Sequence, residues 1–141
     1  MTDPKYLLWL DDLRDPTDNV WSSWITHQGI NPTDYDIIWV KNYDDFVKWI
    51  KDNETPDVVC FDHDLGQDVA IERYTHGGMS KTQAKKLKKL EMSGYDAAKW
   101  LVKHCMYWDN DLPVWLIQSA NPVGVENIKS YLMSYEKTRQ K

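Results

Sequence analysis

The chain has 141 residues, of which 42% are hydrophobic and 28% are charged, and its net charge is −5 at pH 7. This composition excludes a disordered chain, and the length predicts one soluble domain with a core of its own. No apolar run approaches the roughly 20 residues that cross a bilayer. The acidic balance also argues against generic binding to nucleic-acid backbones, which requires a basic surface.

The N-terminal segment MTDPKYLLWLDD has only a short apolar stretch before two aspartates. A signal peptide has a longer apolar core and a cleavage site, so we expect a cytoplasmic protein. The two cysteines, Cys60 and Cys105, lie inside apolar segments without the spacing of a zinc site. Both are predicted to be small buried hydrophobic residues.

Tyr6–Leu10 is the first of four nearly continuous apolar runs, a pattern typical of strands that are covered on both faces in parallel sheets. The next segment, Arg14–Ile30, contains Trp21 and Trp24 without a clear helical period. We expect an irregular loop there, with or without a short helix, whose tryptophans are candidates for stacking on a base. The other three predicted strands are Ile37–Lys41, Val58–Asp62 and Val114–Gln118.

Each of the later strands is followed by a predicted helix. Asn42 can cap the first, which should end near Thr55 and whose apolar stripe is Tyr43, Phe46, Val47 and Ile50. The second has capping-box spacing at Ser93, and its apolar face is Ala97, Ala98, Leu101, Val102 and Cys105. Asn121 can cap the third, whose inward residues are Val125, Ile128 and Leu132.

Residues 66–92 show no strand pattern and carry a glycine pair and several lysines, which indicates an insertion beside the strand ends. A solvated helix or loop is one interpretation of this basic segment. The other is a cationic lid over an anionic nucleotide, hinged at the glycine pair, with His76 as a proton donor. The residues predicted for such a lid are His76, Lys81 and Lys85.

Alternating strands and helices predict a doubly wound parallel sheet of four or five strands, with the ligand site at the carboxyl ends of the strands. Four carboxylates should meet at that edge, those of Asp11, Asp12, Asp62 and Asp64. Such like charges raise one another's pKa unless a cation compensates, and their oxygens suit Mg²⁺ or Mn²⁺. A single strand-end aspartate is more often a cap or a solvated residue, but two pairs favour a metal site.

Polar residues beside the acidic pairs suit a phosphate and a proton transfer. Ser119 and the amides that begin the last helix can contact a phosphate, although a hydroxyl at a turn is the simpler interpretation. His63 stands between Asp62 and Asp64. It can act as a general acid or base near neutral pH, unless it packs as a structural histidine.

Four motifs that cover most of Tyr6–Leu132 resemble, in their order, the cyclic-phosphate processing receiver-like domain family: LWLDDLRDP, CFDHDLG, SGYDAAKWL and QSANPVGVENI. The resemblance implies a single receiver-like (flavodoxin-like) α/β domain over residues 1–141, with a basic insertion at about 66–92. It also implies a role in binding or hydrolysing cyclic phosphates, such as those on ADP-ribose or at ribose ends left by RNA processing, in bacteria or their phages.

The same resemblance implies roles for the residues at the strand ends. Asp11, Asp12 and Asp62 would hold the metal, Asp62 matches the phospho-acceptor of receivers, and Ser119 would contact phosphoryl oxygens. Two positions depart from the pattern. Gln118 stands where the family usually has histidine. The receiver lysine has no counterpart, because the lysines after the last strand lie in a helix or the tail: Lys129, Lys137 and Lys141.

Three functional hypotheses follow from these observations. The first is a metal-dependent phosphoesterase, a cyclic phosphodiesterase that acts on a nucleotide or an ADP-ribose derivative. Its predicted catalytic residues are His63, Asp62 and Asp64, and its predicted phosphate contacts are Arg14, Ser119, Gln118 and Asn121. The second, favoured by Gln118, is a module that binds a cyclic-phosphate nucleotide without turnover. The third is a degenerate receiver that acts through protein contacts.

Overall fold

The computed structural model describes residues 4–65 and 92–139. Their elements in chain order are β1 (Tyr6–Leu10), α1 (Asn19–His27), a 3₁₀ helix (Pro32–Asp34), β2 (Asp36–Val40), α2 (Tyr43–Asn53), β3 (Val58–Phe61), α3 (Gly94–Tyr107), β4 (Val114–Ile117) and α4 (Pro122–Arg139). The segment predicted to form a basic insertion or lid therefore lies outside the described residues, apart from Met92.

The four strands form one parallel sheet in the order β2-β1-β3-β4. This order, with helices on both faces, is that of receiver-like α/β folds and confirms the predicted fold class. Leu10 pairs with both Val40 and Phe61, and Phe61 pairs with Ile117. Because these are the last residues of their strands, the residues that follow lie side by side along the carboxyl edge of the sheet.

Alternate strand residues enter two hydrophobic cores, one on each face of the sheet. Leu8 and Phe61 face α2, α3 and α4, whereas Trp9 faces α1. All three are fully buried, and each such side chain contributes roughly 1.5–3 kcal/mol of transfer free energy. Cys60 lies in the core beside α1 and Cys105 in the other, so both cysteines are buried as predicted.

The segment after β1 contains a helix over Asn19–His27, which is the short helix that the sequence left open within the expected irregular loop. This stretch forms α1, where the Asp18 side chain accepts a hydrogen bond of 2.8 Å from the amide of the second helical residue. The rings of Trp21 and Trp24 pack on Trp9, with centroids 5.9 and 6.1 Å away. An aromatic cluster thus takes the place of a periodic aliphatic stripe, which is why the sequence shows no clear helical period here.

The helices predicted after β2, β3 and β4 are confirmed. Asn42 and Ser93 cap α2 and α3, and Ser93 forms a full capping box with Asp96. Val125 is half-buried and not a core residue, because the inner face of α4 is Gly124, Ile128, Leu132 and Tyr135. Within residues 4–65 and 92–139, no helix is long and apolar enough to cross a membrane.

Strands β2, β3 and β4 end one residue earlier than predicted. Lys41, Asp62 and Gln118 therefore lie just beyond the sheet and not within it. This small difference places polar side chains at the carboxyl edge, where the ligand site of such folds lies.

Gly94 allows α3 to begin directly against the end of β3. Its amide donates a hydrogen bond of 2.9 Å to the His63 carbonyl. A Cβ atom at this position would lie 1.8 Å from the Asp62 carbonyl oxygen, a distance at which no side chain fits. The glycine therefore sets how closely the helix approaches the strand end.

Gly94→Ala is expected to destabilise the protein by roughly 3 kcal/mol or more, because α3 or the backbone of Asp62 must move. The free energy of unfolding in urea measures this loss. Gly29→Ala is the matched control, since Gly29 has a φ of +87° and no described atom lies within 4 Å of its Cβ position. The control should lose only about 1–2 kcal/mol from backbone strain. Equal losses in the two variants would contradict the steric role of Gly94.

Candidate functional site

Three carboxylates meet at the carboxyl edge of the sheet, those of Asp11 and Asp12 after β1 and that of Asp62 after β3. Each offers one oxygen atom, and these atoms lie within 4.8 Å of one another. Asp11 and Asp62 are 0% and 3% exposed, while Asp12 is half-buried. The structure thus brings together the three residues predicted to hold a metal. Oxygen donors at this spacing suit a hard divalent cation.

Asp64 does not join these three carboxylates, so the prediction that four of them meet is corrected to three. Its side chain is 57% exposed, and its Oδ1 atom lies 2.9 Å from Nδ1 of His63. Asp64 is therefore placed to orient His63. After burial, which is the main cause, its negative charge nevertheless makes a small contribution to raising the pKa of Asp12 and of Asp62.

Asp11 shapes the loop that follows β1. Its Oδ1 atom accepts hydrogen bonds from the amides of Leu13 (3.0 Å) and Arg14 (2.9 Å). Its amide donates to the Val40 carbonyl (3.1 Å), and its own carbonyl accepts from Nε1 of Trp39 (2.7 Å). Such side-chain to backbone bonds form an Asx turn, which fixes the carboxylate and folds the chain back over the sheet edge.

This turn brings the Arg14 side chain back to the carboxylates, where its positive charge lies beside them. Its Nη1 atom lies 3.2 Å from Oδ2 of Asp11 and 3.3 Å from Oδ2 of Asp62. Its guanidinium carbon lies 5.3 Å from the centroid of the Trp21 ring. The residue predicted to contact a phosphate is thus the cation that pairs with the two buried aspartates in this structure.

Burial and repulsion change the protonation of the carboxylates. Burial, followed by repulsion from Asp11, raises the pKa of Asp62 to about 7, and the Arg14 charge opposes this only in part. The pKa of Asp12 is raised as well, mainly by burial, with a further contribution from Asp11. The predicted mutual repulsion is therefore present, and a bound cation would relieve it.

Gln118 places a buried polar group at the base of the site. Its Nε2 atom donates a hydrogen bond of 3.0 Å to the Leu10 carbonyl, which also accepts from the Asp62 amide at 2.9 Å. Gln118 is 5% exposed, and among the described residues its Oε1 atom has no hydrogen-bond partner. Only an NH₂ group can donate to a carbonyl, so the amide orientation is fixed and the acceptor is the unpartnered atom. An unpartnered buried acceptor is costly, which indicates a site that a polar ligand completes.

His63 is held between Asp64 and the first turn of α4. Nδ1 contacts Asp64, so Nε2 is the ring nitrogen available for proton exchange. A Cβ atom at Gly124 would lie 2.3 Å from Cγ of His63, which means that only glycine permits this packing. The sequence analysis did not single out Gly124 or Gly94. Each of them is a glycine in the first turn of a predicted helix. Glycine is unfavourable in helices, so its presence there could have indicated a close contact.

Ser119 and Asn121 form the turn that begins α4. The Asn121 amide donates to Oγ of Ser119 (3.1 Å), and the Gly124 amide donates to Oδ1 of Asn121 (3.0 Å). Asn121 is thus a helix cap, as predicted. The Ser119 oxygen acts as an acceptor in this turn, so its own hydrogen can be donated to an anion. Both residues follow β4 at the same edge as the carboxylates.

Of the lysines and arginines predicted for the site, Arg14 lies within the described residues and the lid lysines do not. Among residues 4–65 and 92–139, the cation that pairs with Asp62 is Arg14. Lys129 and Lys137 lie in α4, as expected. The other lysine after β4 and the predicted lid residues lie outside the described residues: Lys141, His76, Lys81 and Lys85. The lid therefore stays a prediction.

In EDTA, Asp62→Asn is expected to stabilise the protein increasingly as the pH rises from about 4 to about 7. The Asp62 carboxyl has a pKa of about 7 in the fold and an ordinary value of 3.8. Folding therefore takes up a proton in this range, and the wild type loses stability as the pH rises. Asparagine does not titrate, so its advantage grows across this range and is constant above it. Urea denaturation at several pH values measures this difference.

Asp52→Asn is the matched control for this prediction, since it removes the same charge from an exposed carboxylate of α2 that pairs with Lys48. It should change the free energy of unfolding by less than about 0.5 kcal/mol at every pH. A difference between Asp62→Asn and the wild type that did not vary with pH would contradict the raised pKa of Asp62.

Gln118→Met is expected to leave the free energy of unfolding within about 1 kcal/mol of the wild type, or to raise it. The side chain keeps its size, the Leu10 carbonyl keeps the Asp62 amide, and the unpartnered oxygen is removed. Thermal unfolding in EDTA provides the measurement. A loss of more than about 2 kcal/mol would show that the amide oxygen of Gln118 has a structural partner.

Comparison with known proteins agrees with this geometry. The family model of the cyclic-phosphate processing receiver domain matches residues 6–134, a range that includes all four strands and the three carboxylates. Comparisons with curated proteins and with solved structures gave no match. Because this match covers most of the chain, it establishes to which family the chain belongs. The chain therefore belongs to the family of cyclic-phosphate processing receiver domains.

Proposed function

We propose that this protein is a divalent-metal-dependent phosphoesterase that opens the ring of a cyclic phosphate on a nucleotide or an ADP-ribose derivative. The observation that carries the proposal is the meeting of three carboxylates beside a histidine that is paired with its own aspartate. Membership of a family linked to cyclic-phosphate processing supports the class of ligand. The position of the site at the carboxyl ends of β1 and β3 is where folds of this kind bind phosphorylated ligands.

Asp11, Asp12 and Asp62 would hold the ion, and Mg²⁺ or Mn²⁺ matches such oxygen donors best. When bound, such an ion polarises phosphoryl oxygens and lowers the pKa of water. The two buried carboxylates are costly to ionise next to each other, which favours a site that receives a cation. The unpartnered oxygen of Gln118 gives an independent indication that a polar ligand belongs here.

His63 is suited to move the proton that hydrolysis requires. Opening a cyclic phosphodiester forms one P–O bond to water and breaks one P–O bond to a ribose oxygen, and the product is a phosphomonoester. The water must lose a proton and the ribose oxygen must gain one. Because Asp64 holds Nδ1, Nε2 of His63 can take the first proton and deliver it to the leaving oxygen. A single imidazole is then sufficient.

Three groups at the site are suited to the phosphate. Arg14 offers a planar fork of donors that fits two oxygens. Ser119 has a hydroxyl hydrogen to donate, since its oxygen accepts from Asn121. The 18-residue helix α4 adds the positive end of its dipole. This contribution does not depend on a row of free amides, since Pro122 has no N–H and the Gly124 amide is bonded to Asn121. All three lie at the carboxyl edge of the sheet, as the carboxylates do.

Gln118 supports a second candidate function, which is sequestration of the cyclic phosphate without turnover. Glutamine forms hydrogen bonds but cannot transfer a proton at neutral pH, and the family pattern usually has histidine at this position. If catalysis required two imidazoles, this chain would bind the ligand and leave the ring closed. The same experiment separates the two functions.

Phosphorus NMR of the full chain with ADP-ribose 1″,2″-cyclic phosphate and with 2′,3′-cyclic nucleotides tests the proposal, in Mg²⁺ and in EDTA. We expect ring opening in Mg²⁺ that is lost in EDTA and in Asp62→Asn. His63→Gln should reduce the rate by roughly 10²–10⁴-fold while ligand binding persists, because it removes the proton carrier. Asp52→Asn is the matched control, since Asp52 is an exposed residue of α2 that pairs with Lys48.

Each other outcome points to a different function. Broadened ligand signals without a new product would contradict hydrolysis and support sequestration. No response to any of the ligands would contradict both and favour a receiver that acts through protein contacts. Acetyl phosphate tests that last function, because a working receiver forms an acyl phosphate on Asp62.

A further inference from the structure

Arg14 joins two buried carboxylates that a metal ion would also need. Its Nη1 atom lies 3.2 Å from Oδ2 of Asp11 and 3.3 Å from Oδ2 of Asp62. Both aspartates belong to the group whose oxygens lie within 4.8 Å of one another. One guanidinium nitrogen is therefore shared by the two least exposed carboxylates, in the manner of a bridging cation.

The backbone of Arg14 is fixed, but its side chain is not enclosed. Its amide donates to Oδ1 of Asp11 (2.9 Å), and its carbonyl accepts from Nε1 of Trp9 (2.9 Å). The side chain is 26% exposed, and its guanidinium carbon stands 5.3 Å from the centroid of the Trp21 ring. A long side chain with a fixed base and a partly open end can change rotamer without moving its loop.

A divalent cation and this guanidinium cannot keep the same carboxylate oxygens. Oδ1 of Asp11 already accepts hydrogen bonds from two amides, so Oδ2 is the oxygen that Asp11 can offer to an ion. That is the oxygen with which Arg14 pairs, and Mg²⁺ binds its oxygen ligands at about 2.0–2.1 Å, too close for an undisturbed ion pair. Repulsion between the two cations is weakly screened among buried groups, which opposes sharing. Metal binding must therefore compete with the ion pairs of Arg14.

We propose that Arg14 is an internal counterion that a bound metal displaces, and that displacement turns its guanidinium toward the phosphate. The inference rests on the proposed function, because it takes Asp11 and Asp62 as ligands of the ion. It accounts for one residue that pairs with carboxylates in this structure and also has the donor fork that a phosphate requires. The metal then binds before the phosphate, and Arg14 couples the two events.

Nitrogen-15 NMR of the arginine Nε–Hε groups during a Mg²⁺ titration tests the displacement directly. The chain has three arginines, and the signal that is lost in Arg14→Gln identifies Arg14. Arg139 is an internal reference, because its Nε donates to Asp111 at 2.6 Å at the far end of α4. We expect the Arg14 signal to shift and to exchange faster with solvent as Mg²⁺ is added, while the Arg139 signal stays unchanged.

Isothermal titration with Mg²⁺ alone gives a second measurement. Arg14→Gln should bind Mg²⁺ at least about tenfold more tightly than the wild type, because the competing cation is gone. Lys41→Gln is the matched control, since it removes a positive charge at the same sheet edge. Lys41 Nζ lies 4.4 Å from the centroid of the Trp39 ring. Its loss should change the affinity by less than about threefold, because solvent screens a charge that does not touch the carboxylates.

The outcomes separate this inference from the proposed function. Mg²⁺ that shifts the amide signals of Asp11 and Asp62, but neither the Arg14 signal nor the affinity of Arg14→Gln, would overturn displacement and leave the metal site standing. Mg²⁺ that binds neither wild type nor Arg14→Gln would overturn both. Binding that is detectable only in Arg14→Gln would also overturn displacement, because Mg²⁺ would then be unable to remove Arg14 from the carboxylates of the wild type.

Discussion

The closeness of two buried carboxylates at the ends of neighbouring strands is the constraint on which the rest of the site depends. The parallel register sets Leu10 beside Phe61, so the next residues, Asp11 and Asp62, stand side by side under the cover of both cores. Two negative charges at such a position require a positive one. Arg14 supplies it, and the Asx turn on Asp11 is what returns Arg14 to that place.

The helices at the same edge approach so closely that two positions admit only glycine. Gly94 lets α3 start against the Asp62 carbonyl, and Gly124 lets α4 lie against the His63 ring. The strand-end loop that holds Asp62 and His63 is therefore confined from two sides. A site confined in this way holds its side chains in place before a ligand arrives, which lowers the entropic cost of binding.

Two features of this edge reduce stability, and both involve polar or charged groups of the kind that line a phosphate site. The raised pKa of Asp62 reflects a charge that the fold disfavours, and the Oε1 atom of Gln118 is a buried acceptor without a partner in the described part of the chain. Natural proteins tolerate such costs mainly where function requires them. The concentration of these costs around Asp11 and Asp62, and not in the two hydrophobic cores, supports a functional role for the carboxyl edge.

The sequence by itself determined the strands, three of the four described helices and the acidic residues that follow β1 and β3, because these depend on local hydrophobic patterns, caps and chain order. It left α1 open as a short helix within a loop, since the helix is stabilised by packing of Trp21 and Trp24 on Trp9 and not by a periodic stripe. Tertiary structure alone decided which charges meet. The Asp64 side chain contacts His63, Arg14 pairs with two carboxylates, and the Gln118 Oε1 atom has no hydrogen-bond partner among the described residues. These outcomes depend on contacts of 2.9–3.3 Å, some between residues far apart in the chain and some set by rotamers within one loop, and a linear pattern contains neither.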